Sequence, residues 1–128
     1  MAELMFISET GMFHSACRVT LGGRVEWYGF KPWKHRSPQG RGMVDRSDRS
    51  GFVNHSITFD VNEAILRSAV ERVARDYANK TYCATVCDCV SFTADVARQV
   101  RLRVPSVNIT PYGFIQVLAF WNVHKSTT

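Results

Sequence analysis

Apolar residues recur at three- and four-residue intervals in two stretches of this chain, a spacing typical of helices that bury one face. The first stretch follows Asn62, a capping-type residue, and predicts a helix to about Ala78. The second predicts a helix that begins at Cys89. The apolar positions are Ile65, Leu66, Ala69, Val70, Val73, Ala74 and Tyr77 in the first stretch, and Phe92, Val96, Ala97 and Val100 in the second.

A third, shorter helix is predicted near the end of the chain. Thr110 and Pro111 supply an N-cap and a first-turn proline. The residues that follow are apolar on nearly every side of the helix, which predicts a buried element. They are Phe114, Ile115, Val117, Leu118, Phe120 and Trp121.

Three strands are predicted in the first half of the chain. Residues 14–21 and 24–30 flank Gly22-Gly23, and two glycines between β-prone segments are typical of a tight hairpin turn. In residues 55–61, strict alternation places His55 on the same side as the apolar residues of that strand. Together the elements predict an α+β fold, an antiparallel sheet packed against about three helices, in a single domain of residues 1–128.

Length and composition are those of a globular domain. The chain has 128 residues, of which 45% are hydrophobic and 21% charged, enough to bury its own core. No segment approaches the roughly 20 apolar residues that a membrane-spanning helix needs. Residues 1–6 lack the basic segment and long apolar run of a signal peptide. We therefore expect synthesis in a reducing cytoplasm, with any export by a specialised secretion system.

The formal net charge is +5, and its excess lies in residues 31–42, followed by a second charged cluster at 45–49. Together with Gly40 and Gly42, this composition predicts a mobile loop that could attract an anionic membrane surface or cell-wall polymer, or a simple solvated loop. No nucleic-acid-binding motif is present, and Trp33 alone is too little for a stacking platform. We expect no nucleic-acid partner.

Cys89 is the candidate nucleophile. It is the predicted first residue of the second helix, and Asp88 before it is a favourable N-cap. The free amides and the positive end of the helix dipole favour a thiolate there, and such cysteines titrate at roughly pH 3.5–7.5 instead of about 8.5. The alternative is that Cys89 is only a small buried hydrophobic residue.

A nucleophilic cysteine needs a base and a group that orients the base. His14 opens the first predicted strand and is the candidate base. His55, on the apolar side of the third strand, is either the orienting group or a core histidine bonded to a backbone carbonyl. His35 in the basic loop and His124 near the end of the chain have positions that suggest no chemistry.

The cysteines allow two other interpretations. Cys83, Cys87 and Cys89 form the pattern Cys-x3-Cys-x-Cys, with Cys17 elsewhere. This pattern contains no Cys-x2-Cys knuckle of the structural zinc kind, so we expect no metal and no other cofactor. A secreted disulfide scaffold is disfavoured without a signal peptide. Formation of a disulfide by Cys83 or Cys87 after export is an alternative that the sequence does not decide.

The order of these residues resembles that of the circularly permuted papain-like hydrolases, over roughly residues 12 to 121. That superfamily includes lecithin:retinol acyltransferase-like enzymes and permuted relatives of the NlpC-type cell-wall peptidases. Here the His14 strand comes first, the hairpin of residues 27–32 follows, and the Cys89 helix comes later, the reverse of the ordinary papain order. Asp88-Cys89 matches the family's Asn-Cys helix start with Asp in place of Asn, and Phe92 matches the aromatic position after it.

The resemblance implies a cysteine hydrolase, an amidase or endopeptidase, with Cys89 as nucleophile, His14 as base and His55 as the third polar residue. The amides of the helix start, capped by Asp88, would stabilise the oxyanion. The implied substrate is a peptidoglycan peptide, and the implied role is that of a bacterial antibacterial toxin with a cognate immunity protein.

Two other functions are alternatives to a cysteine amidase or endopeptidase. One is a lipid acyltransferase or phospholipid deacylase of the same fold, and the other is a catalytically silent binding module. The candidate substrate-binding residues are Tyr28, Trp33 and Arg36. We expect the domain to be a monomer.

Overall fold

The computed structural model describes residues 1–9, 14–34, 39–83, 88–106 and 109–128. Three residues considered above, His35, Arg36 and Cys87, lie outside the described residues. The elements, in chain order, are β1 (Ala2–Glu9), β2 (Ser15–Leu21), β3 (Arg24–Pro32), β4 (Gln39–Asp45), β5 (Val53–Val61), α1 (Glu63–Tyr77), β6 (Thr81–Cys83), α2 (Cys89–Gln99), α3 (Pro111–Trp121) and β7 (Ser126–Thr127).

The strands form one antiparallel sheet in the order β6-β4-β3-β2-β1-β5-β7, which confirms the predicted α+β class. The hairpin between β2 and β3 is also confirmed. Gly22 and Gly23 have φ values of 54° and 85°, the positive values that a two-residue turn of this kind requires. The strand predicted at residues 55–61 is the main part of β5.

Strand β1, which the alternation of residue types did not predict, lies near the middle of the sheet between β2 and β5. Its two sides are both buried. Leu4 and Phe6 pack in the larger core, whereas Met5 and Ile7 pack in a smaller cluster with Ala16 and Trp27. A strand that is apolar on both sides has no alternating pattern, so its period of two is hidden.

The prediction of a mobile loop at residues 31–49 is wrong for residues 39–45, because these residues form strand β4. This strand pairs with β3 on one side and β6 on the other. Gly42 lets β4 pass close to its neighbours: a Cβ there would overlap the ring of Phe30 and lie 3.0 Å from the carbonyl oxygen of Lys80. The glycine therefore serves close packing and not mobility.

The helices begin where the sequence predicted. Asn62 caps α1, Asp88 caps α2, and Thr110 caps α3 with Pro111 as its first residue. They cover one side of the sheet, called here the helix face, which carries Leu4 and Phe6. The side that carries Met5, Ile7, Ala16 and Trp27 is called here the second face.

The prediction that α3 is buried all round is wrong. The helix packs on β1 and β5 with Phe114, Ile115 and Leu118, which are buried. Phe120, however, is 88% exposed, and Trp121 is 46% exposed. One layer of helix on a sheet buries only one side of that helix, whatever its composition. No helix within the described residues is long and apolar enough to cross a membrane.

Candidate active site

Cys89 is the first residue of α2, and a complete capping box fixes the start of that helix. The Asp88 carboxylate accepts the Ser91 N–H at 3.0 Å, and the Ser91 hydroxyl accepts the Asp88 N–H at 3.1 Å. The negative charge of Asp88 therefore accepts a hydrogen bond from the first turn of the helix, the role expected of Asp in place of Asn at this position.

Thr93, one helical turn after Cys89, fixes α2 against β2. Its hydroxyl lies 3.1 Å from the Ser15 hydroxyl, and both residues are fully buried. Residues four apart lie on the same side of a helix, so the bond that holds Thr93 also directs Cys89 toward β2. The backbone N–H of Ser15 donates to the Cys89 sulfur. The structure thus brings the thiol to the peptide that joins His14 to Ser15.

The Cys89 thiol is protonated at neutral pH. Burial, assisted by the neighbouring Asp88 charge, raises its pKa to about 12. The amides of Ser15, Val90 and Cys89 itself act in the opposite direction without overcoming burial. The expectation of an acidic, pre-ionised thiol is therefore wrong for this structure, because desolvation of the thiolate outweighs stabilisation by the helix start.

The His14 ring lies on the second face, opposite α2. Its Nε2 is 3.8 Å from Oε2 of Glu9, which follows Met5 and Ile7 on that face. A Cβ at Gly29 would lie 3.5 Å from the same Nε2. Pairing between β2 and β3 ends at Ala16–Gly29. The thiol therefore lies on the helix face and the imidazole on the second face, and the Ser15 amide, which follows His14 in the chain, is the group that the structure places at the sulfur.

Glu9 belongs to a buried charged cluster around His14. Arg49 donates two hydrogen bonds to the Glu9 carboxylate, each 2.7 Å long, from Nε and Nη2. Asp45, also buried, lies 3.5 Å from Lys31 Nζ. Burial lowers the pKa of His14; Arg49 and Lys31 act in the same direction, whereas Glu9 and Asp45 oppose it. At neutral pH the ring is therefore uncharged and able to accept a proton.

His55 does not orient His14 in this structure, which corrects the predicted role. It lies on the helix face, as the alternation predicted, and its ring stacks on Tyr112 of α3 with centroids 3.9 Å apart. Its Nδ1 lies 3.3 Å from the carbonyl oxygen of Thr128. Glu9 occupies the position expected of His55, because the hairpin places Glu9 directly opposite His14.

The candidate substrate-binding residues have different environments. Tyr28 is buried, its hydroxyl donates to Glu26 at 2.9 Å, and Arg46 lies 3.9 Å from the centre of its ring. The Tyr28 side chain is therefore not exposed to a substrate. Trp33 is 60% exposed, with the Arg41 guanidinium 4.7 Å from its ring centre, so it remains available. Arg36 lies outside the described residues.

Tyr82 is a residue near the thiol that the sequence did not indicate. Burial, together with the neighbouring Cys89, Asp88 and Cys83, raises the pKa of Tyr82 to about 12. It packs on Phe30 with ring centroids 5.6 Å apart and is half-buried. It belongs to the three-residue strand β6, which is too short to give a periodic signal.

Within the described residues, no group of three or more His, Cys, Asp and Glu side chains could hold a metal ion. No disulfide links Cys17, Cys83 and Cys89 to one another. Comparison of the chain with protein-family models, with curated proteins and with solved structures found no match.

Proposed function

We propose that this protein is a cysteine-dependent hydrolase of amide or ester bonds, with Cys89 as the nucleophile and His14 as the base. The main support is the position of the Cys89 sulfur, at a capped helix start and against the amide that follows His14. A buried carboxylate beside the imidazole, that of Glu9, adds the third group such a site needs.

The proposed reaction starts from a neutral thiol and a neutral imidazole. His14 takes the proton of Cys89 as the sulfur attacks the substrate carbonyl carbon and a carbon–sulfur bond forms. The tetrahedral intermediate then collapses, the bond to the leaving amine or alcohol breaks, and His14 returns the proton to that group. Water, deprotonated by His14, hydrolyses the thioester, and Cys89 leaves as a thiol once it regains the proton.

In this scheme Glu9 positions the base. Because Nε2 of His14 faces Glu9, the ring nitrogen assigned to proton transfer is Nδ1. The carboxylate also stabilises the imidazolium that forms when the proton arrives, since opposite charges attract strongly in a buried site. Arg49 holds Glu9 in place through its two hydrogen bonds.

The amides around the sulfur are suited to a developing oxyanion. The amides of Ser15, Cys89 and Val90 each lower the pKa of the Cys89 thiol, because they favour negative charge at that point. Backbone donors at a helix start carry part of the positive end of the helix dipole and are already oriented. We assign them to stabilising the tetrahedral intermediate.

The proposed substrate class is the peptidoglycan peptide, and the proposed role is that of an antibacterial effector with an immunity protein as partner. Both follow from the resemblance to permuted papain-like hydrolases, and the net charge of +5 is compatible with an anionic cell-wall polymer. Phospholipid deacylation is the competing outcome of the same chemistry.

The test is incubation of the protein with purified peptidoglycan fragments and, separately, with phospholipid vesicles, followed by mass spectrometry of the products. Cys89→Ala is the inactive variant, and Cys83→Ala is the matched control on a neighbouring element. We expect peptide products that depend on Cys89 and not on Cys83. Lysophospholipid products would show that the substrate is a lipid and not a peptide. If neither substrate gives a Cys89-dependent product, the result would favour a silent binding module.

A further inference from the structure

Three polar residues form a row across the sheet on the helix face, beside Cys89. Ser15 of β2 lies directly opposite Ser8 of β1, and Ser8 lies directly opposite His55 of β5. Their side is fixed by their contacts, because Ser15 bonds to Thr93 of α2 and His55 stacks on Tyr112 of α3. We call these three residues the cross-strand row.

Ser8, at the centre of the cross-strand row, has a buried hydroxyl without a hydrogen-bond partner. The residue is 4% exposed, and its Oγ is one of two such side-chain atoms among the described residues. By contrast, the Ser15 hydroxyl has Thr93 as a partner, and Nδ1 of His55 lies 3.3 Å from the Thr128 carbonyl oxygen. Buried hydroxyls are nearly always bonded, so an unbonded one paired with Ser15, whose amide interacts with the nucleophile, points to a ligand group.

The spacing along the cross-strand row lies within the reach of an extended acyl chain. Neighbouring strands lie about 4.8 Å apart, so Ser8 is one strand spacing away from Ser15, whose amide holds the sulfur. An extended peptide advances about 3.3 Å per residue. The two lengths differ by less than a hydrogen bond spans, so the next amide of an acyl part bound at Cys89 can reach the Ser8 hydroxyl.

We infer that the Ser8 hydroxyl is a subsite for the amide next to the scissile carbonyl, so that the enzyme takes peptidyl and not fatty acyl groups. The inference rests on the proposed function of Cys89. An amide supplies the partner that the buried hydroxyl lacks, whereas an alkyl chain leaves it unsatisfied. Selection of the acyl part therefore depends on Ser8.

Two p-nitrophenyl esters of equal size test this subsite. The N-acetylglycine ester carries an amide where the isocaproate ester carries only hydrocarbon groups. In the wild type we expect the N-acetylglycine ester to have the higher kcat/KM. Ser8→Ala should lower that value roughly tenfold and leave the isocaproate value within about twofold, since only one hydrogen bond is lost.

Ser56→Ala is the matched control for removal of a serine hydroxyl. Ser56 is also buried, but its hydroxyl is bonded to that of Thr128 at 2.8 Å and it is not part of the cross-strand row. We expect Ser56→Ala to lower Tm and keep the preference between esters, whereas Ser8→Ala should keep Tm and lose the preference. A fall in Tm for Ser8→Ala equal to that of Ser56→Ala would overturn the inference.

The acetate ester separates failure of this inference from failure of the proposed function. It is too short to reach Ser8, so its hydrolysis reports only on Cys89. Suppose that acetate hydrolysis depends on Cys89. The subsite alone would then be overturned if Ser8→Ala affects both longer esters equally, or if the wild type prefers the isocaproate ester. Absence of Cys89-dependent acetate hydrolysis would overturn both.

Discussion

Glu9 and His14 face each other across the end of the β1–β2 hairpin. The Glu9 N–H donates to the His14 carbonyl oxygen at 3.1 Å, and the two side chains meet with Oε2 3.8 Å from Nε2. Facing residues of antiparallel strands have their side chains on the same side of the sheet. Within the part of the chain that the structure describes, this pairing sets the orientation of the imidazole, whereas His55 contacts Tyr112 and Thr128.

Replacing Glu9 with Gln should lower kcat by at least about tenfold, because the imidazolium formed in the reaction loses its neighbouring charge. The acid limb of the pH–rate profile should also move to lower pH, since Glu9 raises the pKa of His14. His55→Ala is the comparison, and we expect less than about a threefold loss. Equal losses for the two variants, with no movement of the acid limb, would favour the original assignment of His55.

Cys89→Ala and His14→Ala should abolish turnover to a similar extent. If the two residues act as one unit, the double variant should be hardly slower than either single variant. Hydrolysis of the acetate ester, followed by absorbance, measures all three rates, and far-UV circular dichroism confirms that each variant is folded. Independent, multiplicative losses would contradict a Cys89–His14 pair.

The pH–rate profile should show an acid limb below pH 6.5 and no alkaline rise across the neutral range. The limb lies there because burial lowers the pKa of His14 from its ordinary 6.5, so the active neutral ring persists into mildly acidic solution. Burial raises the pKa of Cys89 to about 12, so its thiolate should not contribute across the neutral range. A profile that rises with a pKa between 7 and 9 would indicate a titrating thiol instead.

The same shift makes a prediction for stability. Below pH 6.5 an unfolded histidine binds a proton that folded His14 does not, so the free energy of unfolding should fall as pH decreases through that range. His14→Gln should remove part of this slope in urea titrations at several pH values.

The exposed charges near Trp33 should steer an anionic substrate. Lys34 and Arg41 are both exposed, and changing both to Glu should lower kcat/KM for an anionic peptidoglycan fragment while leaving kcat nearly unchanged. The loss should shrink at high salt, because exposed charges are screened beyond about 8 Å at physiological ionic strength. Indifference of kcat/KM to both charge and salt would contradict steering.

Gly42→Ala should destabilise the fold strongly, because its Cβ would overlap the ring of Phe30, a fully buried residue. Overpacking of a buried site costs about 1–3 kcal/mol. Gly51→Ala is the control, since nothing lies within 4 Å of its Cβ position. Urea unfolding compares the two variants, and equal stabilities would restore the view of residues 39–45 as a loosely packed segment.

The sequence alone determined the elements whose signals are local. The caps at Asn62, Asp88 and Thr110 and the positive-φ turn at Gly22-Gly23 depend on a few adjacent residues, so they could be predicted without the fold. The alternation around His55 likewise predicted the correct side of β5. Local geometry also placed Cys89 at a helix start.

Tertiary structure decided what depends on residues distant in the chain. Strand pairing made Glu9, and not His55, the neighbour of His14, and it gave β4 and β6 their place in the sheet. Burial decided the ionisation of Cys89, because the cost of desolvating a thiolate depends on everything packed around it, whereas the helix-start effect comes from adjacent amides. Packing also left Phe120 exposed on an apolar helix, because one layer of helices covers only one side of each.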